Sequence, residues 1–254
     1  MSLRNVRLIL AYDGTDFSGW QIQKNARTVQ GDLQAALDRM HGHPVKVKAA
    51  GRTDAGVHAS GQTANFFSDL DSIPPERFTD AINSYLPRDI RVTASAVVDD
   101  RFHARRSARL RVYRYYIHNS TVELPYYRRY SLQVKRRLSL QALNAMASVI
   151  VGEHDFTSFA AAGDANKRKT RRVVSSCLYP ERPFLVYKIA ADSFLWKMVR
   201  IIVGTMLGLS AEGGGRDELI SILQSRDRGA ARRTAPARGL FLERVLYDEQ
   251  PHVL

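Results

Sequence analysis

The first hundred residues alternate between strand-like and helix-like spacing of apolar side chains. Residues 6–10 are apolar at every second position, which is typical of a half-buried strand. After Thr28, a helix-capping residue, apolar side chains recur every three or four positions as far as Met40. Strand patterns follow at residues 45–50, 62–67 and 90–98, and a helical pattern opens at Pro74-Pro75. These elements predict one α+β unit.

The rest of the chain repeats this alternation after a polar, arginine-rich join at residues 99–109. Strand patterns occupy residues 110–118, 173–179, 184–190 and 240–247, and helical patterns occupy residues 140–150, 195–209 and 217–223. The predicted fold class is therefore α+β, with two α/β halves whose mainly antiparallel sheets meet in a central basic cleft. The predicted domains are residues 1–105 and residues 106–254.

Charge points to a polyanionic partner. The 254 residues include 38 Lys and Arg against 25 Asp and Glu, which gives a net charge of +13. This excess alone also fits a protein that is basic without binding any polyanion. Its distribution favours a folded nucleic acid contacted at many phosphates, because the cations gather in separate clusters rather than in one tail. The clusters cover residues 101–114, 128–137 and 167–172.

Several classes of protein lack support in the sequence. No run of about 18 apolar residues is present, and the first residues do not resemble a signal peptide, so we expect no membrane association and a cytoplasmic location. Cys177 is the single cysteine, which excludes an internal disulfide and fits a small buried side chain. His41-Gly42-His43 lies at a predicted helix end, the other histidines are scattered without paired spacing, and most are expected to be solvated. No phosphate-binding loop of the Walker type is present. We therefore expect neither a metal nor a nucleotide cofactor.

The segment Gly51-Arg52-Thr53-Asp54-Ala55-Gly56-Val57-His58-Ala59 is the strongest candidate for chemistry. It separates two apolar stretches and contains glycines, which permit unusual backbone angles and close approaches. Such a loop could present one carboxylate and one guanidinium to a ligand. The residues alone fit equally well a glycine-rich connection in which Asp54 only satisfies a turn.

This segment resembles the signature loop of the tRNA pseudouridine synthase A family, in which the catalytic aspartate corresponds to Asp54. Further blocks resemble the same family, in the same order, over nearly the whole chain. They are Ala11-Tyr12-Asp13-Gly14-Thr15-x-Phe17-x-Gly19-Trp20-Gln21, Thr28-Val29-Gln30-Gly31, Phe102-His103-Ala104-Arg105, Arg111-Val112-Tyr113-Arg114-Tyr115, Phe194-Leu195-Trp196-Lys197-Met198-Val199-Arg200 and Ala235-Pro236-Ala237-Arg238-Gly239-Leu240. The chain departs from the family at Lys197 and Ile201, where histidine and asparagine are common.

The resemblance implies a pseudouridine synthase fold and isomerisation of uridine in the anticodon stem-loop of tRNA, around positions 38 to 40. It implies that Tyr113 stacks on the extruded base, that Arg52 fills the vacated space and that Arg200 favours the ionised form of Asp54. Leu242 is expected to pack against the base edge. The resemblance also implies a homodimer and a reaction without a cofactor, and it requires Tyr113 and Arg200 to converge with Asp54.

Weaker contacts with the RNA backbone are expected from six basic residues of the clusters. They are Arg105, Arg106, Arg109, Lys167, Arg168 and Lys169.

Two other functions fit part of the sequence. A noncatalytic RNA-binding module would use the same basic surface and would not need Asp54. A metal-dependent nuclease would use Asp13 and Asp16 with other carboxylates and would lose its activity on chelation.

Overall fold

A computed structural model of the chain describes residues 3–248, which form two compact units. One unit is built from the chain up to Arg109 together with the residues from Phe241 onward, and the other is Leu110–Leu240. The last strand thus belongs to the first unit, whereas the predicted division at residues 105 and 106 groups it with the second half. That division and the predicted cleft stay predictions.

The first unit has a mainly antiparallel sheet. Its elements before Arg109 are the strands β1 (Arg4–Tyr12), β2 (Lys48–Ala49), β3 (His58–Ser68) and β4 (Ile90–Val97), and the helices α1 (Val29–His41) and α2 (Phe78–Asn83), the latter preceded by a 3-10 turn at Pro75–Arg77. Strand β1 pairs antiparallel with both β3 and β4, and β2 pairs antiparallel with β3.

The strands of the second unit also pair mainly antiparallel. Its elements are the strands β5 (Leu110–His118), β6 (Leu132–Gln133), β7 (Gly152–Asp155), β8 (Thr170–Glu181) and β9 (Phe184–Ala191), the helices α3 (Leu140–Val149), α4 (Met198–Glu212) and α5 (Arg216–Ser225), and 3-10 turns at Thr157–Phe159 and Ala237–Gly239. Strand β9 pairs antiparallel with β5 and β8, and β7 pairs antiparallel with β8, whereas the short β6 lies parallel to β5. The final strand, β10 (Leu240–Leu246), then pairs parallel with β3 through Phe241 and Leu242.

Local sequence signals explain the elements that were predicted well. The Thr28 hydroxyl accepts a hydrogen bond from the Gly31 N–H at the start of α1, and Ser139 caps α3 in the same way through Ala142. The alternation in β1 buries every second residue from Val6 to Leu10. The predicted class, α+β with mainly antiparallel strand pairing, is confirmed.

Some predicted elements differ from the structure. Of residues 45–50 only Lys48–Ala49 forms a strand, and the two-residue strand β6 and the four-residue strand β7 had no recognisable pattern. Helix α4 begins at Met198 rather than at residue 195, because Lys197 has left-handed backbone angles (φ 60°, ψ 8°) that end the preceding turn.

The expectation that Cys177 is buried is wrong. Cys177 is exposed on β8, where it lies opposite Lys188 of β9. Its neighbours Ser176 and Leu178 are buried, so Cys177 occupies the outward position between two inward ones.

Aromatic and polar contacts tie helices to the sheets. In the first unit the ring of Phe66 on β3 meets that of Phe78 on α2 edge to face, with centroids 5.9 Å apart. In the second unit the Asn144 side chain on α3 forms two hydrogen bonds with the backbone of Leu178 on β8. Within residues 3–248, no helix is both long and apolar enough to cross a membrane.

Candidate functional site

Asp54 lies in the connection between β2 and β3, and the structure fixes this connection at both ends. The Ala50 N–H donates to the Thr63 carbonyl (2.8 Å), and the Gln62 side-chain amide donates to the Gly51 carbonyl (2.9 Å). The loop turns through a hydrogen bond from the Val57 N–H to the Asp54 carbonyl (3.1 Å). Asp54 is half-buried in this loop.

The N-terminal block from Tyr12 to Trp20 forms a cradle around this loop. The Trp20 N–H donates to the Thr53 carbonyl (3.0 Å), and the Gly56 N–H donates to the Phe17 carbonyl (3.3 Å). The Tyr12 hydroxyl lies 2.8 Å from the Thr53 hydroxyl. Contacts on both sides of Asp54 therefore fix the backbone that carries its carboxylate, as a pre-organised catalytic group requires.

Burial raises the pKa of Tyr12 to about 12, against hydrogen bonds from Thr53 and Gln62 that lower it. The phenol is therefore neutral at physiological pH. Its hydroxyl therefore serves the cradle as a hydrogen-bonding partner of Thr53 in the loop.

Two glycines of the cradle allow the close approach of the loop. A Cβ on Gly14 would lie 2.1 Å from the Val57 carbonyl oxygen, which no side chain can tolerate without a backbone shift. Gly19 has φ 93°, and a Cβ there would lie 2.7 Å from the Thr53 carbonyl oxygen and 3.1 Å from the carbonyl carbon of Asp54. The Asp-Gly and Gly-Trp pairs of the N-terminal block thus serve the geometry of a loop some forty residues later.

The three glycines in and after the loop differ in what they do. Gly56 has φ 74°, and a Cβ on Gly61 would lie 2.2 Å from the Glu243 carbonyl oxygen on β10. Gly51 has neither requirement, because a Cβ there would meet nothing within 4 Å. Sequence composition did not distinguish among them.

His58, which follows the loop, departs from the expectation that the histidines are mostly solvated. Its side chain is fully buried, its ring stacks on Phe241 with centroids 4.5 Å apart, and its Nδ1 accepts a hydrogen bond from the Gly14 N–H (3.0 Å). The same Nδ1 lies 3.2 Å from Oδ1 of Asp13. His58 thus joins the end of the loop to the cradle, through Gly14, and to β10, through Phe241.

Asp13 is one of the carboxylates that the alternative nuclease function would require. In the structure its side chain stabilises the turn at the end of β1. Its Oδ1 accepts hydrogen bonds from the Thr15 N–H (3.0 Å) and the Thr15 hydroxyl (2.6 Å). Over the described part of the chain, no group of three or more His, Cys, Asp or Glu side chains could hold a metal ion.

Arg52 and Leu242 were both assigned to substrate binding from sequence. Both belong to the first unit, where Arg52 is part of the loop and Leu242 pairs with a residue just after it. Arg52 is exposed two residues before Asp54. Leu242 pairs with Ala59 across β10 and β3, and its side chain is fully buried. Its observed role is packing behind the end of the loop, and its contact with a base edge stays a prediction.

Tyr113 and Arg200 belong to the second unit. Tyr113 lies on β5 with 8% of its surface exposed, and its ring meets that of Phe194 edge to face at 5.0 Å. Arg200, on the first turn of α4, is half-buried, and its Nε donates to the Ala235 carbonyl (2.8 Å), while the Ala235 N–H donates to the Arg200 carbonyl (3.0 Å).

The late block, residues 235–240, is held against β5 by Tyr115. The Tyr115 hydroxyl donates to the Pro236 carbonyl (2.9 Å), and a Cβ on Gly239 would lie 2.7 Å from the Tyr115 ring. Burial raises the pKa of Tyr115, against the charges of Arg200 and Arg238, so the hydroxyl stays protonated and can donate. The block and the helix that carries Arg200 are thus organised together.

The two positions that depart from the family pattern differ in exposure. Lys197 is half-buried, with its Nζ 4.7 Å from the centroid of the Trp196 ring. Ile201 is fully buried in α4 and belongs to the core.

The six basic residues assigned to the RNA backbone are not equally available. Arg105, Arg106, Lys167 and Arg168 are exposed. Arg109 forms a two-point contact with Asp248 (2.6 and 2.7 Å), and Lys169 lies 2.9 Å from the fully buried Asp164 carboxylate. Arg168 also lies within 3.9 Å of the Glu153 carboxylate. The closer carboxylate pairing of Arg109 and Lys169 should make their contribution to phosphate binding smaller.

Sequence reasoning missed the residues that hold the loop, above all Gly14, Gly19 and His58. The signal that could have found the first two is the glycine spacing in Asp13-Gly14-Thr15-x-Phe17-x-Gly19-Trp20, which no regular strand or helix needs.

Comparison with known proteins agrees with these motifs. The sequence profile of a family described as tRNA pseudouridine synthase matches residues 8–105 and 146–248. The chain is 43% identical to a tRNA pseudouridine synthase A of Treponema denticola, over 97% of this chain and 94% of that protein. It is 42% identical to that of Acetivibrio thermocellus (96% and 100% covered) and 39% identical to that of Brachyspira hyodysenteriae (98% and 100% covered).

Proposed function

The chain belongs to the tRNA pseudouridine synthase family, and we propose on that premise that it converts uridine to pseudouridine in the anticodon stem-loop of tRNA, around positions 38 to 40, with Asp54 as the catalytic carboxylate. The observation that carries the assignment of Asp54 is the cradle. A half-buried carboxylate is held in a loop whose backbone is fixed from both sides by a second family motif.

The reaction needs an anionic oxygen at the nucleotide. The bond between N1 of uracil and C1′ of ribose breaks, the base turns, and a bond between C5 and C1′ forms. N1 then carries a proton, and C5 loses its own to solvent. The Asp54 carboxylate supports two routes, attack on the nucleotide or removal of a proton from the sugar, since a carboxylate can serve as nucleophile or base.

Other residues would engage the extruded nucleotide. Arg52 is exposed beside Asp54 and would fill the space that the base leaves. Tyr113 would stack on the base, and its hydroxyl would handle the C5 proton. The cation of Arg200 would favour the ionised form of Asp54, and Leu242 would pack against the base edge.

Release of the C5 hydrogen tests the proposed reaction. Wild-type protein is incubated with a tRNA transcript labelled with tritium at C5 of uridine, and we expect tritium to appear in water. The matched transcript has cytidine at positions 38 to 40, and we expect no release from it. Equal release from both transcripts would contradict the site, and no release from either would contradict the reaction.

We also propose that the enzyme works in the cytoplasm as a homodimer, as the family resemblance implies. Light scattering on the purified protein should give twice the mass of one 28.6-kDa chain. A mass of one chain at micromolar concentration would overturn the dimer.

Binding of tRNA should weaken steeply as salt rises. The exposed arginines and lysines around Arg105 and Arg168 would neutralise several phosphates, and each neutralised phosphate releases a counterion. We expect a log–log slope of about −3 or steeper in filter-binding titrations between low and physiological salt. A slope near zero would argue against a surface that follows the phosphates.

Replacing Tyr113 with phenylalanine should separate two roles of this residue. Tyr113→Phe keeps the ring and its contact with Phe194 but lacks the hydroxyl, so an intermediate on tRNA should accumulate while product does not. Tyr113→Ala should also weaken tRNA binding, since stacking of a base on an aromatic ring contributes about 1–3 kcal/mol. Gel analysis of trapped tRNA and filter binding measure the two effects. Normal product formation by Tyr113→Phe would remove the hydroxyl from the mechanism.

A further inference from the structure

Trp196 is an exposed aromatic side chain on a rigid backbone. It is 46% exposed, whereas the other tryptophan of the chain, Trp20, is 3% exposed. Trp196 lies between Phe194, which contacts Tyr113, and Met198, where α4 begins. An exposed indole next in sequence to residues assigned to substrate binding is a candidate contact for the substrate.

The loop of residues 161–169 fixes the position of Trp196. The Asp164 carboxylate accepts a hydrogen bond from the Trp196 N–H (2.6 Å), and the Ala161 N–H donates to the Trp196 carbonyl (3.0 Å). Gly163 packs against the indole, because a Cβ there would lie 3.0 Å from Cζ3 of the ring. These contacts hold the Trp196 backbone and one edge of its indole, while 46% of the residue remains exposed to solvent.

A basic side chain lies over this ring. The Nζ of Lys197 lies 4.7 Å from the ring centroid, in a cation–π contact. Lys167 and Arg168 of the fixing loop are exposed, and Arg168 lies 3.9 Å from the exposed Glu153 carboxylate. Asp164, which accepts the hydrogen bond from the Trp196 N–H, has a fully buried side chain. Burial would raise the pKa of Asp164, but hydrogen bonds from Trp196, Lys169 and Asn166 hold it well below its usual value.

We propose that Trp196 is a stacking platform for an unpaired nucleobase of the tRNA substrate, with Lys197 and the loop cations on the adjoining phosphates. An exposed aromatic side chain beside cations is the combination that binds single-stranded nucleic acid, since every base can stack and every phosphate carries charge, and the flexible Lys197 side chain would move from the ring to a phosphate. A protein partner fits less well, because interface cores around an aromatic residue are poor in lysine. The proposal rests on the proposed function, which supplies the RNA.

Intrinsic fluorescence tests the contact directly, because the chain has two tryptophans and one of them is buried. Addition of unmodified tRNA transcript to the wild-type protein should quench the emission and protect it from acrylamide. In Trp196→Phe the tRNA-dependent change should disappear while binding remains.

Affinity measurements supply a matched control. Trp196→Ala should bind tRNA about 10-fold more weakly and raise KM similarly, with kcat at saturating tRNA within about twofold. Trp196→Phe, which keeps a stacking ring, should lose less. Tyr85→Ala is the control, because Tyr85 is also an exposed aromatic residue (42%) beside a cation, Arg39. This variant should bind tRNA with the affinity of the wild type.

Three results would overturn the proposal. They are unchanged tRNA affinity of folded Trp196→Ala, an equal loss in Tyr85→Ala, and a change of oligomeric state in Trp196→Ala that accounts for its weaker binding. Tritium release by the wild type separates this inference from the proposed function. Release together with any of these results defeats the platform alone, whereas an absence of release defeats the reaction.

Discussion

Asp54→Asn is expected to lower turnover by about 10³-fold or more while tRNA affinity stays within several-fold. The asparagine has the size and shape of aspartate but lacks the anionic oxygen that either proposed route requires. Binding depends instead on many cations spread over the surface, so it should persist. Tritium release from C5-labelled tRNA measures turnover, and filter binding of the same preparation measures affinity.

A second aspartate in the cradle provides the control. Asp16 is exposed, and Asp16→Asn makes the same chemical change in the motif that holds the loop. It should leave turnover within about twofold, because the proposed chemistry needs one carboxylate. Substantial activity of Asp54→Asn, or an equal loss in Asp16→Asn, would defeat the assignment of Asp54. Loss of the wild-type activity on chelation would favour the nuclease that Asp13 and Asp16 suggested.

Gly14→Ala should destabilise the protein by about 3 kcal/mol and lower turnover together with stability. The added Cβ would lie 2.1 Å from the Val57 carbonyl oxygen, so the cradle and the loop must separate. The Val57 N–H is hydrogen-bonded to the Asp54 carbonyl, so a shift of Val57 also displaces the residue that carries the catalytic carboxylate. Thermal unfolding should show a Tm lower by about 5–10 °C.

Gly51→Ala is the matched substitution in the loop itself. Its new Cβ would meet nothing within 4 Å, so its Tm should stay within about 2 °C of the wild type. Equal Tm values for Gly14→Ala and the wild type would contradict the close packing of the cradle on the loop.

The elements that could be predicted from sequence are those with a local cause. Helix α1 follows from its apolar spacing and from the Thr28 cap, and β5 was predicted to the residue from alternation. Strand β2 was not, because only two of its six predicted residues join the antiparallel ladder with β3. Cys177 was placed wrongly because its face depends on the register of β8 with β9. Pairing between distant segments decides such features, and local patterns do not contain it.

The candidate site shows the same division. Loop composition and the family resemblance were enough to select Asp54, although composition alone fitted a structural turn equally well. The approach of Gly14 to Val57 and the burial of His58 against Phe241 join segments far apart in the chain. No periodicity in either segment encodes those contacts. The roles of Tyr113 and Arg200 come from the family resemblance, so measurements of activity and tRNA binding in variants have to test them.

Pseudouridine mapping in tRNA from cells with and without this protein tests the central claim most directly. Chemical modification of pseudouridine followed by primer extension locates each modified position. The account predicts pseudouridine around positions 38 to 40 in the presence of the protein, none there in its absence, and restoration by the wild-type chain but not by Asp54→Asn. Anticodon-arm pseudouridine that persists without the protein, or that Asp54→Asn restores, would contradict it.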